Sequence, residues 1–323
     1  MSQARPARSI ADRPTDERPH PPSNLRRDWA LLGRHWRLIK LLHQAETSRV
    51  YAARPVLSSP FREAQHVIKL LRKSAESRRD AVSAIQREVH VARQVSHPRI
   101  VSVIESHVTR PPYYAVFSRI TGESVAALLH RTGRLSIPLA LSVVRQMAEG
   151  LSTLHAAGWL HGDIKPANVI VDLSGRATLI DLAFARPVTR SSVAEAGGNA
   201  DSPTGNPSGR ELLAGSITYM PPEALSRVEQ PTIASDIYSL GVTLFELLAG
   251  RPPFSATETA QLLFKHREER APCLREIRPQ VPSSVAALVR SMLAKQPFRR
   301  PLSALDVSQR LVRAEIETFS QRD

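Results

Sequence analysis

The sequence predicts an α+β fold in two parts: a small strand-rich part carrying one helix, then a larger, mainly helical part with one hairpin. Three observations carry this. Short apolar runs of strand length crowd between Trp36 and Ser118. Among them a single segment repeats apolar residues at spacings of three and four. Beyond Gly122 that helical period dominates, broken by two β-rich runs flanking Leu173-Ser174-Gly175.

Residues 1–30 are rich in Arg, Pro, Asp and Ser and hold few large apolar groups. Such a segment buries too little surface to offset its ordering entropy, so a disordered basic arm is expected. From Trp36 the texture changes. Trp36 to Leu42, Arg49 to Ala53 and His66 to Leu71 read as three strands, and Ile100 to Ile104 and Tyr113 to Ser118 as two more. Between them Val82, Ile85, Val89, Ala92 and Val95 trace one apolar helix stripe, with Glu88 beside it. Ile137, Leu141, Val144, Met147, Leu151 and Leu154 predict a long amphipathic helix closed by Gly158.

Val169 to Asp172 and Arg176 to Ile180 read as a hairpin, which brings Asn168 beside Asp181. Thr189 to Ser208 is rich in glycine and serine and reads as a mobile loop. Helical patterns return at Thr232 to Leu248, at Ser283 to Leu293 and in the C-terminal residues.

Composition narrows the function classes. The chain of 323 residues carries a net charge of +14, and only six of its 44 basic residues are lysine, which reads as a chain-wide compositional bias or as a basic face for acidic proteins, nucleic acid or anionic lipid. No basic run is interleaved with aromatics, so nucleic acid is not an expected partner. Cys273 is the only cysteine, which excludes an internal disulfide framework and reads as a buried or incidental thiol in a reducing compartment. The N-terminus has no apolar signal core, and the most apolar window, Ile237 to Leu248, is too short to span a bilayer and contains Glu246. A cytoplasmic chain without a membrane anchor is expected.

The segment His161-Gly162-Asp163-Ile164-Lys165-Pro166-Ala167-Asn168 resembles the catalytic loop of the protein kinases, His-x-Asp-x-x-x-x-Asn. The resemblance implies a bilobal protein-kinase-like fold, with an N-lobe of antiparallel sheet plus one helix over 31–120, a mainly helical C-lobe over 121–316 and a tail over 317–323. It implies Asp163 as the base for the attacking hydroxyl, Lys165 as a cation on the transferring phosphoryl group, and Asn168 with Asp181 as ligands of Mg2+. A lysine two residues after the aspartate resembles the Ser/Thr branch. Lys69 is similar to the strand lysine on the α and β phosphates of ATP, and Glu88 to its helix partner. Leu42, Val50, Val67 and Ile170 match the adenine walls, Phe117 the gatekeeper, and the backbone of Ser118 and Ile120 the hinge. Gly215 to Glu223 looks like the end of an activation segment, with Ser216 on the catalytic loop and Glu223 paired to Arg300. Asp236 resembles the brace beneath the catalytic loop. The resemblance runs from about Gly33 to Val312.

Several positions depart from that family. His43, Ala45 and Ser48 stand at the three glycine positions of the phosphate-covering loop, and Glu46 at its tip is expected to repel phosphate. Leu182 and Ala183 replace Phe and Gly after the metal aspartate, and Gly162 replaces an arginine that in many relatives reads a phosphorylated activation loop. Protein substrates bearing Ser or Thr are the implied partners. Hydroxyls in the 184–216 segment, among them Thr189, Ser191, Ser192, Ser202, Thr204 and Ser208, are candidates for self-phosphorylation. The alternatives to an active kinase are a pseudokinase serving as nucleotide-binding or scaffold module and a small-molecule phosphotransferase.

Overall fold

The computed structural model describes residues 31–59, 63–188, 217–225 and 230–320. The expected disordered arm, the Thr189 to Ser208 loop with its hydroxyls, and Ser216 lie outside the described residues.

The chain folds into two lobes. In the N-lobe β1 (Leu31–Leu32), β2 (Trp36–Gln44), β3 (Ser48–Pro55), β4 (His66–Leu71), β5 (Val103–His107) and β6 (Tyr114–Ser118) form an antiparallel sheet in the order β1-β2-β3-β4-β6-β5. Its two faces are unlike. Ile68 and Leu70 on β4 pack outward with Leu32, Trp36, Ala53 and Val116. The alternate residues of β4 face helix α1 (Arg79–Gln94), as the two-residue period of a strand requires. Helix α1 buries Ile85, Val89 and Ala92 of the expected stripe together with Ala81 and Val91, while Val82 is half-buried and Val95 lies just past the helix end; Glu88 is buried with them.

One strand starts later than the sequence suggests. Ile100 and Val101 are not in the sheet, because the C-lobe hairpin takes their backbone: Val101 N–H donates to Leu179 O (2.9 Å) and Leu179 N–H to Arg99 O (2.8 Å). The residues read as a strand thus form a seam between the lobes.

The C-lobe comprises α2 (Val125–Thr132), α3 (Ile137–Ala156), α4 (Ile233–Ala249), α5 (Thr259–Glu268), α6 (Leu274–Ile277), α7 (Ser283–Met292) and α8 (Ala304–Ser320). Ser124 and Ser136 cap α2 and α3 through side-chain oxygens that accept N–H groups in the first turn. Helix α4 is buried on nearly every side and forms the lobe's axis. Gly241 admits α7 there, since a Cβ at that position would stand 2.7 Å from Met292 Cβ. Helix α8 continues to Ser320, past the boundary expected at 316. Strands β7 (Gly122–Ser124), β9 (Val169–Asp172) and β10 (Ala177–Leu179) make a small sheet, and β8 (Trp159–Leu160) pairs with β11 (Arg186–Pro187). Cys273 is exposed, so it is not a core thiol. Among the described residues no helix is long and apolar enough to cross a membrane.

Candidate active site

Strand β4 brings Lys69 to the face that looks at α1. Its Nζ lies 2.7 Å from Glu88 Oε2 and 2.9 Å from Asp181 Oδ1, so one ammonium bridges helix α1 and the far end of the C-lobe hairpin. Burial disfavours the ammonium, but Asp181 and Glu88 outweigh it and raise the Lys69 pKa. Asp181 is likewise opposed by burial and held below the usual carboxylate range by Lys69. Glu88, 3% exposed, is pushed up to about 7 by burial, against the attraction of Lys69.

The hairpin performs the juxtaposition that the sequence implies. Strands β9 and β10 pair in register, and Ile180 N–H donates to Asn168 O at 2.9 Å, delivering Asp181 beside Asn168. Asp181 has φ +66°, the one positive value at a non-glycine residue among the described residues. Aspartate tolerates that region better than most side chains, and backbone held there points to a site that over-determines it. Two neighbours in α1 do so: Arg87 Nη1 donates to Ala183 O (2.6 Å), and the Glu88 carboxylate accepts from Leu182 N–H.

The catalytic loop follows β8. Asp236, in the first turn of α4, accepts His161 N–H (2.8 Å), Gly162 N–H (3.0 Å) and the His155 ring (2.8 Å). Burial opposes its charge, but these bonds prevail and lower its pKa. Gly162 has φ +77°, and a Cβ there would meet Phe184 O at 2.5 Å. A side chain at 162 would therefore be strained and would require this backbone or Phe184 to shift. Asp163, 9% exposed, receives Asn168 Nδ2 on Oδ2 (2.8 Å) and on its carbonyl (2.8 Å), while Lys165 Nζ stands 2.7 Å from the same Oδ2. With its nitrogen so committed, the Asn168 amide keeps its oxygen as the remaining acceptor.

Asn168 and Asp181 together offer an amide and a carboxylate oxygen, the donor types that suit hard Mg2+. Among the described residues no group of three or more His, Cys, Asp and Glu could hold a metal unaided.

The apolar residues divide. Val50 lies opposite Lys69, and Val67 opposite both Ala52 and Phe117, so these positions share the face of the sheet that bears Lys69. Phe117 is buried, Val50, Val67 and Ile120 are half-buried, and Ser118 is exposed at the end of β6, its Oγ 3.2 Å from Ser102 Oγ. Ile170 is half-buried on β9, two residues past Asn168. Leu42 sits at a register irregularity of β2 and is 43% exposed, in none of the packed clusters.

The Glu46 carboxylate meets Arg78 at 2.6 Å, and Arg78 also meets Asp80 at 2.6 Å, so one exposed cation is shared between two carboxylates and offsets only part of the charge expected to repel phosphate. Arg72, Arg78 and Arg87 were not singled out from sequence. Arg72 stands three residues beyond Lys69 and Arg87 directly before Glu88, but charged residues in those places read equally well as solvated surface.

Past the catalytic loop, Glu223 and Arg300 form a bidentate pair at 2.6 and 2.8 Å, buried as the resemblance implies. Tyr219 donates to Glu246 at 2.7 Å, which fastens the end of the same segment to α4.

Residues 42–311 match the family described as protein kinase domain. The serine/threonine-protein kinase PrkC of Bacillus subtilis is 26% identical over 288 residues, covering 89% of this chain and 41% of PrkC. The serine/threonine-protein kinase PknA of Corynebacterium glutamicum is 28% identical over 279 residues, 84% of this chain and 54% of the relative. The serine/threonine-protein kinase drp72 of Corynebacterium efficiens is 30% identical over 242 residues, 72% of this chain and 42% of the relative. The chain thus spans about half, or less, of the curated relatives it matches. With the two-lobed fold and the matched residues between the lobes, this chain belongs to the protein kinase domain family.

Proposed function

We propose that this chain acts as a Ser/Thr protein kinase domain, transferring the γ-phosphoryl group of MgATP to Ser or Thr hydroxyls of proteins. The observation that carries the reading is the bridge from Lys69 to both Glu88 and Asp181, with Asp163, Lys165 and Asn168 joined to one another nearby. Phosphoryl transfer relies mainly on positioning and electrostatics, and this arrangement supplies both.

In this reading Lys69, fixed by Glu88, binds the α and β phosphates. Asp163 accepts the proton of the attacking hydroxyl and orients it, and Lys165 offsets charge on the transferring group. Asn168 and Asp181 hold Mg2+, which supplies neutralisation of the phosphate charge when bound. Val50, Val67 and Phe117 form the apolar side of the adenine site, with Ile170 beneath and the Ser118 to Ile120 backbone as hinge; Leu42 would cover the edge. Arg78 offsets part of the Glu46 charge at the loop tip. We place the domain in the cytoplasm, in keeping with its single free thiol, and assign self-phosphorylation to hydroxyls of the 184–216 segment.

Incubation of purified wild type, Lys69→Met and Asp163→Asn with radiolabelled ATP, Mg2+ and a Ser/Thr peptide library tests this. Label on the peptides or the chain with wild type only is the expected result. Nucleotide binding without turnover in wild type would instead make the chain a pseudokinase, and transfer to small molecules alone would remove the protein substrate.

A further inference from the structure

The loop between β2 and β3 lacks all three glycines of its family, yet it is not left without direction. Arg72 follows β4, and the ladder between β3 and β4 continues through it, since Arg72 N–H donates to Thr47 O at 2.8 Å. By the alternation of a strand, Lys69 and Leu71 face α1 and the cleft, whereas Leu70 and Arg72 face outward. From that outer face Arg72 Nη1 donates to Glu46 O at 3.1 Å and Ala45 O at 3.4 Å. A trans peptide is planar with its C=O and N–H opposed, so carbonyls drawn toward an outer guanidinium would leave the N–H groups of Glu46 and Thr47 on the side bearing Val50 and Lys69.

We propose that Arg72 is a positioning residue for nucleotide phosphate: it holds the loop carbonyls away from the cleft, so that two backbone N–H groups face the phosphates without glycine at positions 43, 45 or 48. Glycine allows a loop to reach such a conformation through backbone freedom; an outward guanidinium reaches the same end by fixing the peptide planes. Donors oriented in advance need no reorganisation when the anion arrives. Arg78 complements this by pairing the Glu46 carboxylate. The proposal rests on the reading of the cleft as an ATP site.

The test compares ATP with adenosine, which fills the same apolar site and carries no phosphate. Affinities are measured by thermal-shift and calorimetric titration of wild type, Arg72→Met and Arg72→Lys, with Mg2+ present. Arg72→Met is expected to weaken ATP about tenfold, the size of one charge-assisted hydrogen bond, and to leave adenosine unchanged; Arg72→Lys recovers part of the loss. Equal weakening of ATP and adenosine, or no change in either, overturns the role of Arg72. Wild type that binds neither ligand overturns the ATP-site reading itself, and this proposal with it.

Discussion

Arg300→Met should cost about 3–5 kcal/mol of stability, the range for stranding one partner of a buried ion pair. The Arg300 side chain is 0% exposed, against 2% for Glu223. All five of its N–H donors are used: two on the Glu223 carboxylate, and one each on Ala234 O (2.8 Å), Ala294 O (2.8 Å) and Lys295 O (3.0 Å). Methionine fills much of the volume but leaves Glu223 with Ser235 as its remaining side-chain donor, and three carbonyls lose a partner. Glu223→Gln added to Arg300→Met removes the stranded charge, so the double variant should be more stable than the sum of the singles predicts, with a coupling of about 2 kcal/mol. Urea unfolding followed by tryptophan fluorescence measures this, Trp159 lying in the same lobe. The sign with pH follows as well. Burial opposes the Glu223 charge, yet Arg300 holds its pKa below the usual value. The pair's contribution is therefore present above the unfolded carboxylate value of about 4 and is lost as pH falls through the lower folded value. A cost under about 1 kcal/mol for Arg300→Met, or simple additivity, would refute the view that this pair holds the segment end to the helices.

Three further outcomes follow from the site. Gly162→Ala must strain a φ of +77° and displace Phe184 O, so it should lower phosphoryl transfer at least tenfold and stability by about 1–3 kcal/mol; Gly162→Arg, which introduces the family residue, should fare no better, and recovery of activity by it in a kinase assay would contradict the geometry. The carboxylate form of Glu88 is the one that anchors Lys69, and its pKa is near 7, so kcat/KM should fall as pH drops below about 7 and Glu88→Gln should flatten that limb of the pH–rate profile. Arg87→Met removes the donor on Ala183 O and should reduce kcat more than KM for peptide, with partial rescue by Arg87→Lys; unchanged steady-state constants would reduce the contact to packing.

The bilobal plan was legible because its signals are local. The stripe of α1, the run of α3 and the hairpin flanking Gly175 each repeat within a few residues, and each appears where the spacing put it. What the sequence hid lies where tertiary contact overrides local pattern. Ile100 and Val101 have strand chemistry, but the hairpin claims their backbone. Helix α5 escaped notice because it buries only Leu262 and His266, too little to leave a stripe.

The site divides along the same line. Lys69, Glu88, Asp163 and Asp181 were picked out through a fixed pattern; one ammonium joins Lys69 to Glu88 and Asp181, while Asp163 meets Lys165 and Asn168. For Glu46, position in the loop gave no hint of its partner Arg78, which comes from 32 residues further along and also holds Asp80. The degenerate loop teaches the same lesson. Loss of glycine reads as loss of function only while the loop is considered by itself; once Arg72 and Arg78 are set against it, the absent backbone freedom and the present guanidinium contacts become alternative ways to fix the same peptide planes. A family's missing residue is therefore weak grounds for inactivity until the groups packed on its position have been counted.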